Sequence, residues 1–192
     1  MQWLRLTKLP VFAEFLIVAG LICLFTPIIW SLQSNNLQSS ERKSWDNDQK
    51  RGTQSLQYQR YRLIIPKLGL DAVVVEEITE SDLNKGPMHM AGTPDPGHPG
   101  NCCIAAHKEK WFRGLAKLSN GDTVNLESGK TSYTYKVTGQ DVVSPNDIQA
   151  LADTRSPTLT LITCTGRPFF GSGSGRLLVR AKLASAKQLT KE

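Results

Sequence analysis

Residues 158–164, TLTLITC, are the stretch on which the reading of this chain turns. Both alternating sets, Thr158, Thr160 and Ile162 on one side and Leu159, Leu161 and Thr163 on the other, are β-branched or apolar. That pattern suits a strand covered on both faces. The run stops on Cys164, and a glycine-dense loop, TGRPFFGSGSG at 165–175, leads into RLLVRAKL at 176–183. Inside the strand a cysteine would be core filler, whereas at its end a loop can open access to the thiol. Composition alone leaves both readings open for Cys164.

Outward from this strand, short apolar runs alternate with Gly, Pro, Asn and Asp turns. YRLIIP (61–66) and DAVVVEE (71–77) read as strands joined through KLG. NCCIAAH (101–107), DTVNLES (122–128), SYTYKVTGQDVVS (132–144) and RLLVRAKL read as further strands. Helix signals are few: ESDLNKG (80–86) and NDIQALAD (146–153) each suit a short helix or 3-10 turn, with Asp147 or Asn146 capping the second. Many short strands with almost no long helix point to an all-β domain closed, or nearly closed, into a barrel, which also removes exposed strand edges.

The N-terminus differs by composition. MQWLRLTK carries Arg5 and Lys8, and residues 9–30, LPVFAEFLIVAGLICLFTPIIW, hold only one charge, Glu14. Such a run matches the roughly 20 residues that cross a hydrocarbon core. Basic residues before it place the N-terminus in the cytoplasm and the bulk of the chain outside. No small-x-small cleavage pattern follows, so the segment reads as a retained anchor. Residues 33–56 are rich in Gln, Ser, Asn and charge and read as a polar tether, with some helix near the membrane. The expected organisation is therefore a stub and single-pass transmembrane helix over 1–32, a tether over 33–56, a barrel over 57–185 and a tail over 186–192.

The net charge of +6 comes from scattered basic residues interleaved with acids, which does not mark a nucleic-acid face. Four cysteines, Cys23, Cys102, Cys103 and Cys164, lack metal-type spacing and read as free thiols. The acids Asp71, Glu76, Glu77 and Asp82 are close along the chain but read as solvated carboxylates; no metal or cofactor is expected.

A thiol nucleophile needs a group that protonates a leaving amine, and imidazole suits that exchange near neutral pH. His107 ends the NCCIAAH run, although a lone histidine there is more often structural. An oxyanion needs nearby donors, and Arg176 lies beside Cys164 if the two strands pair. Arg180 shares its face but stands ~13 Å further along at strand rise. His89 and His98 read as a hydrogen-bonded loop histidine and an exposed one.

TLITC with Arg176 heading the following strand, GNCCIAAH (100–107) followed by KEKWFRGLAKLSNGDTV, and LNKGPMHMAGTPDPGHPGN (83–101) together resemble the sortase transpeptidases, in particular class D-like or proteobacterial forms. The resemblance spans about residues 60–183. It implies a closed eight-stranded sortase-type barrel behind one membrane helix, with the catalytic domain on the outer side of the cytoplasmic membrane. It further implies cleavage of an LPxTG-like C-terminal sorting signal in a secreted protein and transfer to an amine acceptor, a peptidoglycan precursor or a pilin-type lysine. Cys164 would be the nucleophile, His107 the acid and base, Arg176 the oxyanion donor, and Thr163, Phe169 and Phe170 substrate contacts. IAAH stands where IAGH is commoner, and CTGRPFF lacks the acid that often follows the cysteine. A catalytically inactive or redox-active membrane-tethered barrel, the latter using Cys102 and Cys103, is the competing reading.

Overall fold

The computed structural model describes residues 11–51, 61–76, 83, 85–166 and 175–189, with side chains inside the long helix described at 15–23, 25–26 and 38–47. The chain forms two compact units, residues 1–37 and 38–192. One helix, α1 (Val11–Arg51), runs through the boundary. Among the described residues no helix is long and apolar enough to cross a membrane. Phe15, Leu16, Ile17, Val18, Leu21, Ile22 and Phe25 of α1 are exposed.

The second unit holds eight strands: β1 (Tyr61–Ile65), β2 (Leu70–Glu76), β3 (Met88–His89), β4 (Asn101–Ala105), β5 (Thr123–Ser128), β6 (Thr131–Val143), β7 (Thr158–Cys164) and β8 (Arg176–Gln188). They close into a barrel in the order β1-β2-β3-β4-β7-β8-β6-β5, with β5 paired back onto β1. Closure leaves no long open edge for another chain to pair with. Alternation sets which side chains enter. In β1, Tyr61, Leu63 and Ile65 are fully buried while Arg62 and Ile64 are half-buried.

The interior is filled by Leu63, Ile104, Phe112, Leu126, Tyr135, Leu159, Leu161 and Val179 with their neighbours. Each such large apolar side chain contributes roughly 1.5–3 kcal/mol by leaving water. The opposite parity of the same strands carries a smaller cluster, Cys103, Ile162 and Leu178, packed with Met90, Ala105, Val143 and Leu151. This second cluster explains why β4 and β7 read as continuous apolar runs. The two strands pair in parallel, Asn101↔Thr158 to Ala105↔Ile162, and both of their faces are covered.

Strand assignments from the alternating runs hold, and two details differ. β3 is a strand of two residues, too short for any period to show, yet it pairs with β2 and β4 and so closes the barrel. β8 continues to Gln188, into the stretch set aside as a tail, because the long β6 pairs with it as far as Thr131↔Gln188. NDIQALAD does form a 3-10 turn, Ile148–Leu151, with the Asp147 carboxylate accepting from the Gln149 N–H. ESDLNKG falls largely outside the described residues.

The segment read as a tether with some helix near the membrane is helical as far as Arg51. Its polar sequence offers no apolar stripe, but Gln38 is buried and its amide behaves as a peptide group against the edge of β2. Its Oε1 accepts from the Val73 N–H at 3.1 Å, and its Nε2 donates to the carbonyls of Lys85 at 2.6 Å and Val73 at 3.4 Å. The ladder thus continues past Val75, whose N–H donates to Pro87 O at 3.0 Å. Trp45, two turns on, is also buried.

Candidate active site

β7 turns from buried to exposed at its last residue, Cys164. In the antiparallel pairing of β7 with β8, Cys164 stands directly opposite Arg176. Residues opposite each other in such a pair project to the same face. The Arg176 Nη1 donates to the Cys164 Sγ at 3.0 Å, a guanidinium held against the thiol. The condition left open in the sequence, that the two strands pair, is met. Arg180 lies opposite Thr160 and is held in an ion pair by Asp141, away from the thiol.

His107 arrives from β4. The β4–β7 register ends at Ala105↔Ile162, and the Ala106 N–H donates to Ile162 O at 3.1 Å. Thr163, read above as a substrate contact, points inward: it is buried and its hydroxyl donates to Ala106 O at 2.8 Å. Its place is behind the nucleophile, tying β7 to β4. Continuing the register by two residues sets His107 beside Cys164, on neighbouring strands spaced about 4.8 Å apart. The His107 carbonyl accepts from the N–H groups of Lys110 and Phe112, which turns the chain back after the histidine. The imidazole is half-buried, and its ring nitrogens have no partner among the described residues.

The neck of the β7–β8 loop is pinned. Thr165 donates to Gly175 O through its N–H at 2.9 Å and its hydroxyl at 3.0 Å. A Cβ on Gly175 would stand 2.8 Å from Val143 O and 3.0 Å from Val142 Cγ1, so only glycine fits. Lys108 Nζ donates to the carbonyls of Thr165 at 2.9 Å and Gly166 at 3.4 Å. Phe169 and Phe170 lie outside the described residues.

The outer apolar cluster was not singled out in the sequence. Ala105, Ile162, Leu178 and Val143 lie on the outward parity of the strands that carry the site, with Leu151 from the 3-10 turn packed on them. The two-sided apolar pattern of TLTLITC was the available signal.

The remaining candidates have structural surroundings. Cys102 and Cys103 are buried, and all four cysteines are free thiols. Burial, with the charge of Asp153, pushes the Cys103 thiol up to about 12, and burial likewise raises Cys102. Neither is poised as a thiolate, which a redox pair requires. Asp71 pairs with Arg62 in a two-pronged ion pair and Glu76 with His89; Glu77 and Asp82 lie outside the described residues. Among the described residues no three His, Cys, Asp or Glu side chains converge as metal ligands.

His89 is buried in β3 rather than in a loop. Its Nδ1 faces the Glu76 carboxylate at 3.0 Å, and its Nε2 faces Pro94 O at 3.2 Å and Thr93 Oγ1 at 3.1 Å. Since Thr93 donates its own proton to Met90 O, both ring nitrogens face acceptors and the doubly protonated ring satisfies them all. Burial alone would lower its pKa, but the hydrogen bond and charge of Glu76, aided by Pro94 O, raise it. His98 is exposed.

A thiol with a guanidinium held against it, and an imidazole on the neighbouring strand, are groups that can act as nucleophile, oxyanion donor and proton carrier in acyl transfer. Comparison with known proteins identifies the family. The Sortase domain family model matches residues 63–184. Sortase A of Bacillus anthracis is 30% identical over 130 residues, 66% of this chain and 60% of that protein. Sortase D of Bacillus subtilis is 26% identical over 121 residues, 62% of this chain and 61% of that protein. The chain thus spans about three fifths of the length of these curated relatives. A Clostridium perfringens Sortase D5 transpeptidase superposes with a TM-score of 0.65 at 25% identity, covering 79% of this chain and 98% of that one. The matched region runs from β1 into β8 and contains His107, Cys164 and Arg176, and the chain belongs to the sortase family.

Proposed function

We propose that this chain is a membrane-anchored cysteine transpeptidase that cleaves an LPxTG-like sorting signal and transfers the released acyl group to an amine. The observation that carries the reading is the Arg176 Nη1 donating to Cys164 Sγ at 3.0 Å, at an exposed strand end. The Cys164 thiolate attacks the threonine carbonyl, and Arg176 donates to the oxygen as charge develops on it. His107 protonates the departing glycine amine, which leaves a thioester on Cys164. An amine acceptor, a peptidoglycan precursor or a pilin-type lysine, then gives His107 a proton, attacks the thioester and releases the Cys164 thiolate. The likenesses to Sortase D of Bacillus subtilis and to the Clostridium perfringens D5 protein support a class D-like enzyme.

The exposed apolar side chains between Phe15 and Phe25 support a membrane helix, with Arg5 and Lys8 holding the N-terminus in the cytoplasm. The barrel then faces outward, where secreted proteins present their signals.

The full chain in detergent, incubated with a library of LPxTG-like peptides and read by mass spectrometry, tests the reaction. A thioester of the peptide fragment ending in threonine is expected on Cys164, and none in Cys164→Ala. An adduct on Cys102 or Cys103, or none from any peptide, would refute the reading. Protease added outside intact cells should remove the barrel, and a barrel protected in the cytoplasm would refute the topology.

A further inference from the structure

Lys108 is the first residue past His107, in a surface turn where a lysine ordinarily extends into water. Here it folds inward, half-buried, and its ammonium donates to the carbonyls of Thr165 at 2.9 Å and Gly166 at 3.4 Å. No carboxylate pairs with it among the described residues. These carbonyls are the first two past Cys164. The parallel register of β4 and β7, continued from Ala105↔Ile162, sets Lys108 opposite Thr165 just as it sets His107 opposite Cys164.

The proposed nucleophile and proton carrier are therefore bracketed. On the strand side, one residue before each, the Thr163 hydroxyl is fastened to Ala106 O at 2.8 Å. On the loop side, one residue after each, the Lys108 ammonium is fastened to Thr165 O. Regular strand pairing has ended there, and the following segment is dense in glycine, so nothing in the ladder holds the two chains in register. Thr165 is in turn fastened to Gly175, the residue before Arg176, through its N–H and its hydroxyl. A single side chain thereby joins the three segments that carry His107, Cys164 and Arg176.

We propose that Lys108 is a positioning residue of the transfer reaction, holding the His107 turn in register with the Cys164 strand end. The proposal rests on the acyl transfer at Cys164 proposed above. Lys108 touches no reacting atom and acts through the two carbonyls that it fastens. Its effect belongs to the chemical step, where a displacement of about 1 Å between reacting groups costs up to ~10²-fold in rate.

The test compares Lys108→Met and Lys108→Arg in the full chain, using a peptide that acylates the wild-type protein. For Lys108→Met, kcat is expected to fall about 10- to 100-fold with KM within about threefold, the split for an interaction that matters in the transition state. Hydrogen exchange at the Thr165 amide is expected to quicken about tenfold as the neck loosens. Lys108→Arg should restore both, because a guanidinium reaches the same two carbonyls. Lys108→Gln, whose amide stops short of them, carries the same expectation as Met and replaces it if that variant unfolds. An unchanged kcat, a rise in KM alone, or an arginine variant as impaired as the methionine one would overturn the proposal. If no peptide acylates the wild-type chain, the functional reading fails, and the Thr165 exchange rate still decides whether the latch exists: faster exchange upholds it and unchanged exchange refutes it.

Discussion

Arg176 and Arg180 share a strand and a face, and their surroundings separate their roles. Arg176 directs a donor at the Cys164 sulfur, whereas Arg180 is held by Asp141. Arg176→Ala is expected to lower acyl transfer by about 10²–10³-fold, the usual loss for one oxyanion donor. Arg176→Lys should recover little, because a point charge does not reproduce directed guanidinium donors. Arg180→Ala breaks a surface pair worth at most about 1 kcal/mol and should leave the chemical step near wild type. Single-turnover rates on the three folded variants check this; a larger loss in Arg180→Ala would exchange the two roles. The choice was half legible in the sequence: spacing favoured Arg176 only on the condition that β7 and β8 pair, and Cys164↔Arg176 supplies that condition.

At the scale of elements, β3 was invisible because two residues cannot show a period, yet it bridges β2 and β4. What it lacks in ladder it gains from His89, whose two ring nitrogens fasten Glu76 of β2 and the segment after β3. The pKa of His89 is raised above its usual 6.5, so the folded state holds a proton that the unfolded chain releases first. The stabilisation is complete below about 6.5 and is lost as pH rises through the higher folded value. The thermal midpoint is therefore expected to fall as pH is raised from 6.5 through the mildly alkaline range. His89→Gln should start lower and flatten that slope. A midpoint that rises over the same range in the wild-type protein would show that the folded ring is neutral.

For the whole molecule, the tether reading followed from composition, and one buried glutamine changes it. Gln38→Ala would leave the Val73 N–H and C=O and the Lys85 carbonyl without that amide, at a cost of about 1–3 kcal/mol. Gln38→Glu should cost at least as much, since a carboxylate cannot donate to the two carbonyls. Gly86→Ala is expected to act at the same place, because its Cβ would meet Gln38 Nε2 at 2.5 Å and Val73 O at 2.9 Å. Denaturant unfolding of the full chain measures all three; three variants as stable as wild type would mean that α1 is not fastened to the barrel through Gln38.

The sequence by itself determined the barrel class, seven of its strands and the placing of a cysteine at the end of β7. Alternation and turn residues act over a few neighbours, and a strand covered on both faces must be apolar throughout, as TLTLITC is. It also held Cys164 and Arg176 within one loop of each other. Only the tertiary structure decided which residues meet across long separations. The parallel pairing of β4 with β7, fastened by Thr163 and Ala106 at a separation of 57 residues, carries His107 to the end of the barrel where Cys164 stands. The inward turn of Thr163 and the buried setting of His89 are likewise properties of the closed barrel. The helix through residues 33–51 belongs to the same class, since its hold on β2 is a side-chain amide completing a strand edge, a contact that no local periodicity encodes.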